Sequence, residues 1–507
     1  MMAVVNSLVL LGLEGHRVRV EVDIAPGLPL FEVVGLPDTA VKESRERVRA
    51  ALKNSGFEFP LRRIIVNLAP GDVRKEGPLY DLPMALGILM ASGSLPLREE
   101  KIYAIGELSL EGSLRGVPGA LPMALALQEM DPGAILLVPR DNVREAALAS
   151  GIKVLAAESL SQVAAFWRGE AALEEAPSFG EMALQGEVPG PDWADIKGQR
   201  TAKRGLEIAA AGGHNALLIG SPGTGKTLLA RSLPTIMPPL TYEEALTVTK
   251  IYSAAGLLAP GQGLITTRPF RSPHHTASIA SIIGGGRIPR PGEVSLATHG
   301  VLFLDEMPEY RRDVLEALRQ PLEDRVVHLS RVAARISYPA DFILIGSMNP
   351  CPCGYYGDTS RECLCTPYQV SQYRRRISGP LMDRIDLHIE VPRLSYQEIE
   401  EGEPGEPSAR VRQRVQAARE RQLYRGKRYG KSCNAALSGA EIREVCRLTP
   451  RARILLREAF SRLGLSMRAH DHILKVALTI ADLEGKGVVE EGHLAEALQY
   501  RSLDWEP

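Results

Sequence analysis

Gly220-Ser221-Pro222-Gly223-Thr224-Gly225-Lys226-Thr227 satisfies the pattern G-x-x-x-x-G-K-[ST] without a departure. The apolar run Ala216-Leu217-Leu218-Ile219 precedes it, as a buried parallel strand would. Leu228-Leu229-Ala230-Arg231-Ser232-Leu233 follows and opens a helix. Strand, glycine-rich loop and helix N-terminus together make an anion site. Backbone N–H groups close round phosphates, and the helix dipole favours negative charge there. Gly220, Ser221, Pro222, Gly223, Thr224 and Gly225 are the predicted cradle. Lys226 is expected to reach the β- and γ-phosphates of ATP, and Thr227 to ligate Mg²⁺. The competing reading, a chance match in a glycine-rich turn, has to explain away both flanking elements.

A second anchor is Gly300-Val301-Leu302-Phe303-Leu304-Asp305-Glu306. Its apolar run predicts a buried strand that ends in two carboxylates, at the edge where open α/β sheets bind ligands. Asp305 is expected to hold Mg²⁺, mostly through water, and Glu306 to orient an attacking water. An Asp-Glu pair says little alone; after a complete P-loop it says much more.

The chain of 507 residues is long enough for about three domains. Its hydrophobic content of 45% and charged content of 24% are ordinary for a globular protein. A formal net charge of -1 leaves no global field for a polyanion, so any such contact must be a local patch. No run predicts a membrane span and no basic leader precedes the first apolar stretch, so the expected location is cytoplasmic. Four of the six cysteines fall between Cys351 and Cys365, which suggests a metal rather than a disulfide framework.

Residues 1–168 predict an α/β domain. Arg17 to Val22 alternates polar and apolar, and Asp38 to Ser55 places Val41, Val48 and Leu52 on one helical face. Ile64 to Leu68 and Ile135 to Val138 predict strands, and Leu82 to Met90 an apolar helix. Within this domain Val66-Asn67-Leu68-Ala69-Pro70, Lys75-Glu76-Gly77-Pro78 and Gly106-Glu107-Leu108-Ser109-Leu110-Glu111-Gly112 resemble the proteolytic domain of Lon-type ATP-dependent proteases over residues 61–122. That family uses a Ser–Lys dyad. The positions matching it here are Leu79 and about Leu121, neither of which is a nucleophile or a base. The resemblance therefore implies a Lon-like fold that is proteolytically inactive. A plain α/β scaffold is the other reading.

Residues 169–192, rich in Glu, Gly and Pro, predict a linker. The ATPase core is expected over 193–395, with Thr201 to Ala211 as its first helix and Phe342 to Asn349 as a further buried strand. Between the P-loop and Asp305 lie Arg268-Pro269-Phe270-Arg271-Ser272-Pro273-His274-His275-Thr276 and Gly284-Gly285-Gly286-Arg287-Ile288-Pro289-Arg290-Pro291-Gly292-Glu293. The two histidines lack a third ligand at metal spacing, which favours hydrogen bonding. Arg325 to Tyr338 predicts a β-hairpin with Arg331 and Arg335 near its turn. After an acidic joint at Glu400 to Pro407, residues 396–507 predict a C-terminal helical lid, whose charged helix from Ala409 reads as a solvated face.

Taken together, the runs around 268, 284 and 300 resemble the magnesium chelatase-like AAA+ ATPases. The order of Lon-like domain, P-loop core and helical lid resembles their ComM/YifB branch. This resemblance implies several roles. Asn349 matches the sensor that positions water against the γ-phosphate. Arg384, in Leu381-Met382-Asp383-Arg384-Ile385-Asp386-Leu387, matches an arginine finger acting on the next subunit, or else pairs structurally with Asp383 or Asp386. Arg468 matches the second sensor, which contacts the γ-phosphate from the lid. The branch implies a homo-oligomeric, hexameric ring acting on DNA as a branch-migration helicase in natural transformation (competence). On that view Arg271, Arg287, Arg290 and Arg331 face DNA in the pore. The alternative is the ATPase subunit of a chelatase-like complex remodelling a protein partner, and a third possibility is an ATP-switched scaffold.

Cys351-Pro352-Cys353 and Cys363-Leu364-Cys365 form two C-x-C pairs. Four thiolates would close a tetrahedral, structural Zn²⁺ site, against the alternative of four free thiols in a loop.

Overall fold

The computed structural model describes residues 2–98, 101–176, 190–286, 289–331, 334–358, 361–400, 404–463 and 465–501. By contacts the chain falls into two compact units. The first is the N-terminal α/β part joined by residues 242–265 and by residues 332–337, which take in part of the hairpin strand Ala334–Pro339. The second holds the P-loop and the C-terminal helices.

The first unit is built on an eight-stranded sheet. Its middle is the long antiparallel pair Met2–Leu11 and Glu14–Ala25, with Met2 opposite Asp23. The N-terminal apolar run is thus a central strand. In Glu14–Ala25 the alternation seen in the sequence buries Val18, Val20 and Val22 completely. The Thr39–Asn54 helix starts where the Asp38 carboxylate accepts the Val41 N–H at 2.8 Å, and it buries Val41, Val48 and Leu52. The Asp81–Ala91 helix is buried along its whole length. It carries Asp81 into the core, where Arg47 meets it at 2.8 Å. Part of the expected linker is ordered as well: Glu174–Glu175 adds an edge strand beside Lys153–Ala157.

Helix Tyr242–Ala255 follows the P-loop helix in sequence but packs in this first unit. Ser253 donates its hydroxyl to buried Glu145 at 2.5 Å, and Gly119 N–H donates to Ser253 O at 2.9 Å. Glu145 also accepts the Leu121 N–H at 3.2 Å. Leu79 and Leu121, the two positions matching a protease dyad, are core side chains, 7% and 0% exposed.

The second unit is a five-stranded parallel sheet in the order Phe270–Arg271, Val301–Leu304, Ile343–Met348, Ala216–Ile219, Leu387–Glu390. Its central strands are wholly buried and, Ser347 apart, apolar, as helices on both faces demand. One strand separates the P-loop strand from the Asp305 strand, so both open their C-terminal ends at the same edge. The expected hairpin forms from Val326–Arg331 and Ala334–Pro339. Helix Ser408–Gly426 packs on Arg200–Gly212, on the P-loop helix Lys226–Ile236 and on Met467–Leu483. The helix read as a solvated face is thus also a structural strut. Its Arg414 reaches buried Glu207 at 2.8 Å, and its Arg425 pairs with fully buried Asp482.

Candidate nucleotide site

The P-loop turns from strand to helix between Ile219 and Lys226. Two glycines are required by its geometry. A Cβ on Gly220 would sit 2.3 Å from Val391 O, and Gly225 holds φ 89 at the helix N-cap, where L side chains are strained. Around a Cβ on Gly223 or Gly225 there is nothing within 4 Å, so the loop's outer side is open for a ligand. Beneath, Thr224 ties the loop together by donating to Ser221 O at 3.0 Å. Gln199, from the segment ahead of the first helix, braces it by donating to Thr224 O at 3.3 Å and Pro392 O at 2.7 Å.

Lys226 Nζ donates to Gly220 O at 2.7 Å, Ser221 O at 3.0 Å and Asn349 Oδ1 at 3.2 Å. Burial lowers the Lys226 pKa, against the pull of Asp305 and Glu306. Thr227 donates its hydroxyl to Asp305 Oδ2 at 3.0 Å, which gives a pair of hard oxygen ligands of the kind Mg²⁺ takes. The structure therefore brings Lys226, Thr227, Asp305 and Asn349 together, and their donor set fits a magnesium nucleotide.

One residue of this site carries no signal in a motif. Ser347, fully buried in the Ile343–Met348 strand, donates to Asp305 Oδ1 at 2.5 Å and accepts the Glu306 N–H at 2.9 Å. A single hydroxyl thus holds the Asp305 carboxylate and the Glu306 backbone. The sequence signal is faint: one polar side chain in an otherwise apolar strand. Glu306 itself is exposed and held at φ 51, a left-handed conformation that turns its side chain out of the strand line.

Arg384 and Arg468 lie elsewhere. Asn215, just ahead of the P-loop strand, accepts the Leu344 N–H at 2.9 Å and donates to Arg384 O at 2.9 Å. This is the N-terminal edge of the sheet, whereas Lys226 and Asn349 stand at the C-terminal edge. Arg384 pairs with Glu323 and donates to Pro380 O at 2.7 Å. Neither Asp383 nor Asp386 is its partner: Asp383 faces Arg468 at 3.5 Å, and Asp386 is taken by two histidines. Within one chain, Arg468 is not beside the P-loop.

Of the four arginines expected at a pore, Arg271 is locked to Glu293 by two bonds of 2.6 and 2.8 Å, a structural pairing that uses its guanidinium. Arg290 is exposed in a short strand. Arg287 lies outside the described residues, and Arg331 ends the first strand of the hairpin. The rings of His274 and His275 lie tilted with centroids 4.1 Å apart, and His274 Nδ1 bonds Thr276 Oγ1 at 2.8 Å, the hydrogen-bonding role the sequence favours.

Cys351, Cys353, Cys363 and Cys365 converge, with their sulfurs within 4.8 Å of one another. Three of the separations are 3.3, 3.6 and 3.7 Å. A tetrahedron with ~2.3 Å Zn–S bonds has edges of about 3.8 Å, so little rearrangement is needed to bind the ion.

A buried parallel sheet with this loop, this acidic strand end and a C-terminal helical lid defines a P-loop ATPase of the magnesium chelatase-like AAA+ class. Three family descriptions match in sequence: "Subunit ChlI of Mg-chelatase" over residues 20–142, "Magnesium chelatase, subunit ChlI" over 192–399 and "Magnesium chelatase, subunit ChlI C-terminal" over 405–501. The chain is 46% identical to the uncharacterized protein YifB of Escherichia coli, covering 99% of this chain and 97% of that one. It is 44% identical to the competence protein ComM of Haemophilus influenzae, covering 99% and 98%. The magnesium-chelatase 67 kDa subunit of Heliobacterium mobile is 26% identical over 39% of this chain and 30% of its own length. The chain belongs to the ComM/YifB family. Among the described residues no helix is long and apolar enough to cross a membrane.

Proposed function

We propose that this protein is an ATP-hydrolysing ring motor that acts on DNA, moving branched junctions during recombination in natural transformation. One observation carries the ring: the phosphate-binding groups and the two candidate arginines sit at opposite edges of one sheet. From Leu344 to Asn349 the strand runs roughly 17 Å at about 3.3 Å per residue, farther than an arginine side chain reaches. Arg384 and Arg468 therefore serve a nucleotide held by a second copy of the chain, and a closed ring supplies every P-loop with them.

In this reading Lys226 and the loop N–H groups bind the phosphates, and Thr227 and Asp305 hold the metal. Mg²⁺, when bound, neutralises charge on the β- and γ-phosphate oxygens. Glu306, oriented through Ser347, takes the proton of the attacking water, and Asn349 aligns that water. The neighbour's arginines stabilise the charge that develops on the transferred phosphoryl.

DNA as the substrate is supported by the resemblance to a competence protein and by exposed Arg290 and the hairpin carrying Arg331. With a net charge of -1, binding must be concentrated at such points, so it should be steep in salt and indifferent to sequence. The chelatase reading draws on the family descriptions and on the Heliobacterium subunit. The discriminating experiment measures ATPase rate with and without a synthetic four-way junction, together with strand exchange on that junction at two salt concentrations. Stimulated hydrolysis and junction movement support the motor. A static junction and an indifferent ATPase, with metal insertion into protoporphyrin when chelatase partners are added, would hand the assignment to the chelatase.

A further inference from the structure

Behind Arg384 and Arg468 lies a cavity of about 580 Å³ at the N-terminal edge of the sheet. Both arginines line it, and so do Asp386, His472 and Lys475. Asp386 comes two residues after Arg384 and is only 4% exposed. It binds three groups from three directions. His472 Nδ1 reaches it from the lid helix Met467–Leu483. His214 Nδ1 reaches it at 3.1 Å, and the Asn215 N–H donates at 3.3 Å, both from the start of the P-loop strand. His214 is itself anchored to the lid, with Nε2 at 2.9 Å from Thr479 Oγ1.

The charge states follow from this packing. Burial would raise Asp386, but the two imidazoles hold it well below the usual carboxylate range. Burial keeps His214 neutral despite its carboxylate partner, so its single N–H is given to Asp386. An ionised, buried carboxylate satisfied on all sides is a rigid junction, because removing any one partner leaves a desolvated charge. On the lid helix, Arg468 lies one turn before His472, on the same face. On the loop, Arg384 is two residues before Asp386. The Asp386–His472 bond therefore spans the elements that carry the two arginines.

We infer that Asp386 and His472 are positioning residues for hydrolysis on the adjacent copy: their bond fixes the Arg384 loop to the lid helix, so that Arg384 and Arg468 are presented to the neighbour's γ-phosphate as one rigid pair. This rests on the trans reading proposed above. It separates the arginine edge of a subunit from its own P-loop. Loss of His472 should lower kcat about 10- to 100-fold, as a shift of roughly 1 Å in a catalytic group does, and leave the KM for ATP unchanged.

The test uses full-length chains mixed into joint assemblies. His472→Ala retains an intact P-loop and a loosened arginine edge, so it should behave as Arg384→Ala does. Mixed with Lys226→Ala, which has a dead P-loop and an intact edge, it should regain activity; mixed with Arg384→Ala it should not. His472→Asn, whose amide N–H stands in for Nδ1–H, should recover most of kcat. Asp386→Asn, which keeps the side-chain shape, gives the same mixing pattern if His472→Ala fails to fold. The control is Arg384→Ala with Lys226→Ala. Failure of the control to regain activity sinks the trans reading and the inference with it. Recovery in the control, alongside a His472→Ala protein that is fully active or that neither mixture rescues, overturns the inference alone.

Discussion

Lys226 and Arg384 are held at opposite ends of the same strand. Lys226 donates to Gly220 O, immediately after Ile219 closes the strand, while Asn215, immediately before Ala216 opens it, donates to the Arg384 carbonyl. Four buried residues lie between the P-loop and the residue that holds the Arg384 carbonyl. On the ring reading proposed above, a lone chain is an incomplete catalyst. Its turnover should depend on protein concentration in a way its nucleotide affinity does not.

Binding and turnover separate at the P-loop edge. Lys226→Ala removes the P-loop ammonium and should lower ATP affinity at least tenfold, read by titration with a fluorescent nucleotide. Glu306→Gln should bind ATP as the parent does and release phosphate about 10²-fold or more slowly, since only water activation is lost. Equal ATP affinity in the parent and in Lys226→Ala would contradict the site.

Ser347 gives a subtler test. Its hydroxyl holds Asp305 Oδ1 and the Glu306 N–H at once, so Ser347→Ala frees the Asp305 carboxylate and the Glu306 backbone without touching a phosphate contact. The Mg²⁺ concentration for half-maximal activity should rise about 10-fold, the usual effect of removing an orienting partner of a ligand, and kcat should fall as well. Unchanged magnesium dependence would mean that Asp305 is oriented by something else.

These two predictions differ in how far the sequence supports them. Lys226, Thr227 and Asp305 are visible because each must follow a strand at fixed spacing, and the apolar runs Ala216–Ile219 and Val301–Leu304 mark those strands. Ser347, Asp386 and His214 are invisible for the opposite reason. Their roles come from partners 42, 86 and 172 residues away, and pairing across such separations leaves no local pattern. The same limit hid the fate of helix Tyr242–Ala255. Its composition gives a helix, but nothing in it says that Ser253 will dock on Glu145, more than a hundred residues earlier in the same unit. For Arg384 the structural alternative to a finger, pairing with Asp383 or Asp386, rests on sequence proximity, while the fold brings up Glu323.

The first unit should show no proteolysis. Leu79 and Leu121 are core side chains, and the Leu121 N–H is bonded to Glu145. Incubation with casein and ATP should leave the substrate intact over hours. Cleavage that persists in Lys226→Ala would reveal a nucleophile somewhere else on the chain.

His388 sets a pH dependence of stability. It is 2% exposed in the Leu387–Glu390 strand, and among the described residues neither ring nitrogen has a hydrogen-bond partner. Burial, with Arg501 nearby, lowers its pKa to about 3, while Asp386 opposes the shift. The folded pKa lies below the unfolded value near 6.5, so the unfolded chain binds the proton first. This contribution is fully present above about pH 6.5 and is lost as pH falls towards 3, amounting to about 2 kcal/mol between pH 6.5 and 5. Denaturant melts at pH 7 and pH 5 should show it, and His388→Gln should remove that share of the difference. An identical pH difference in the variant would assign the loss to other groups.

The cysteine cluster should bind one zinc ion per chain, and the ion should matter to the nucleotide site. Gly354, between the two C-x-C pairs, holds φ 86, and a Cβ built on it would lie 2.7 Å from Pro222 Cδ. The cysteine loop thus packs directly on the phosphate-binding loop, and Tyr356 N–H donates to Cys351 Sγ at 3.3 Å to shape that contact. Zn²⁺ bound by four thiolates is closed to water, so its contribution is rigidity in the loop that supports Pro222. Elemental analysis of protein washed with a weak chelator should find about one zinc per chain. Stripping the ion with a strong chelator at low pH, or replacing Cys353 with Ser, should raise the nucleotide Kd several-fold while the first unit keeps its thermal transition. Zinc restored after stripping should return the original Kd. A metal-free protein with four titratable thiols, native ATP affinity and an unchanged melt would show that the sulfurs meet without an ion and that Pro222 needs no such support.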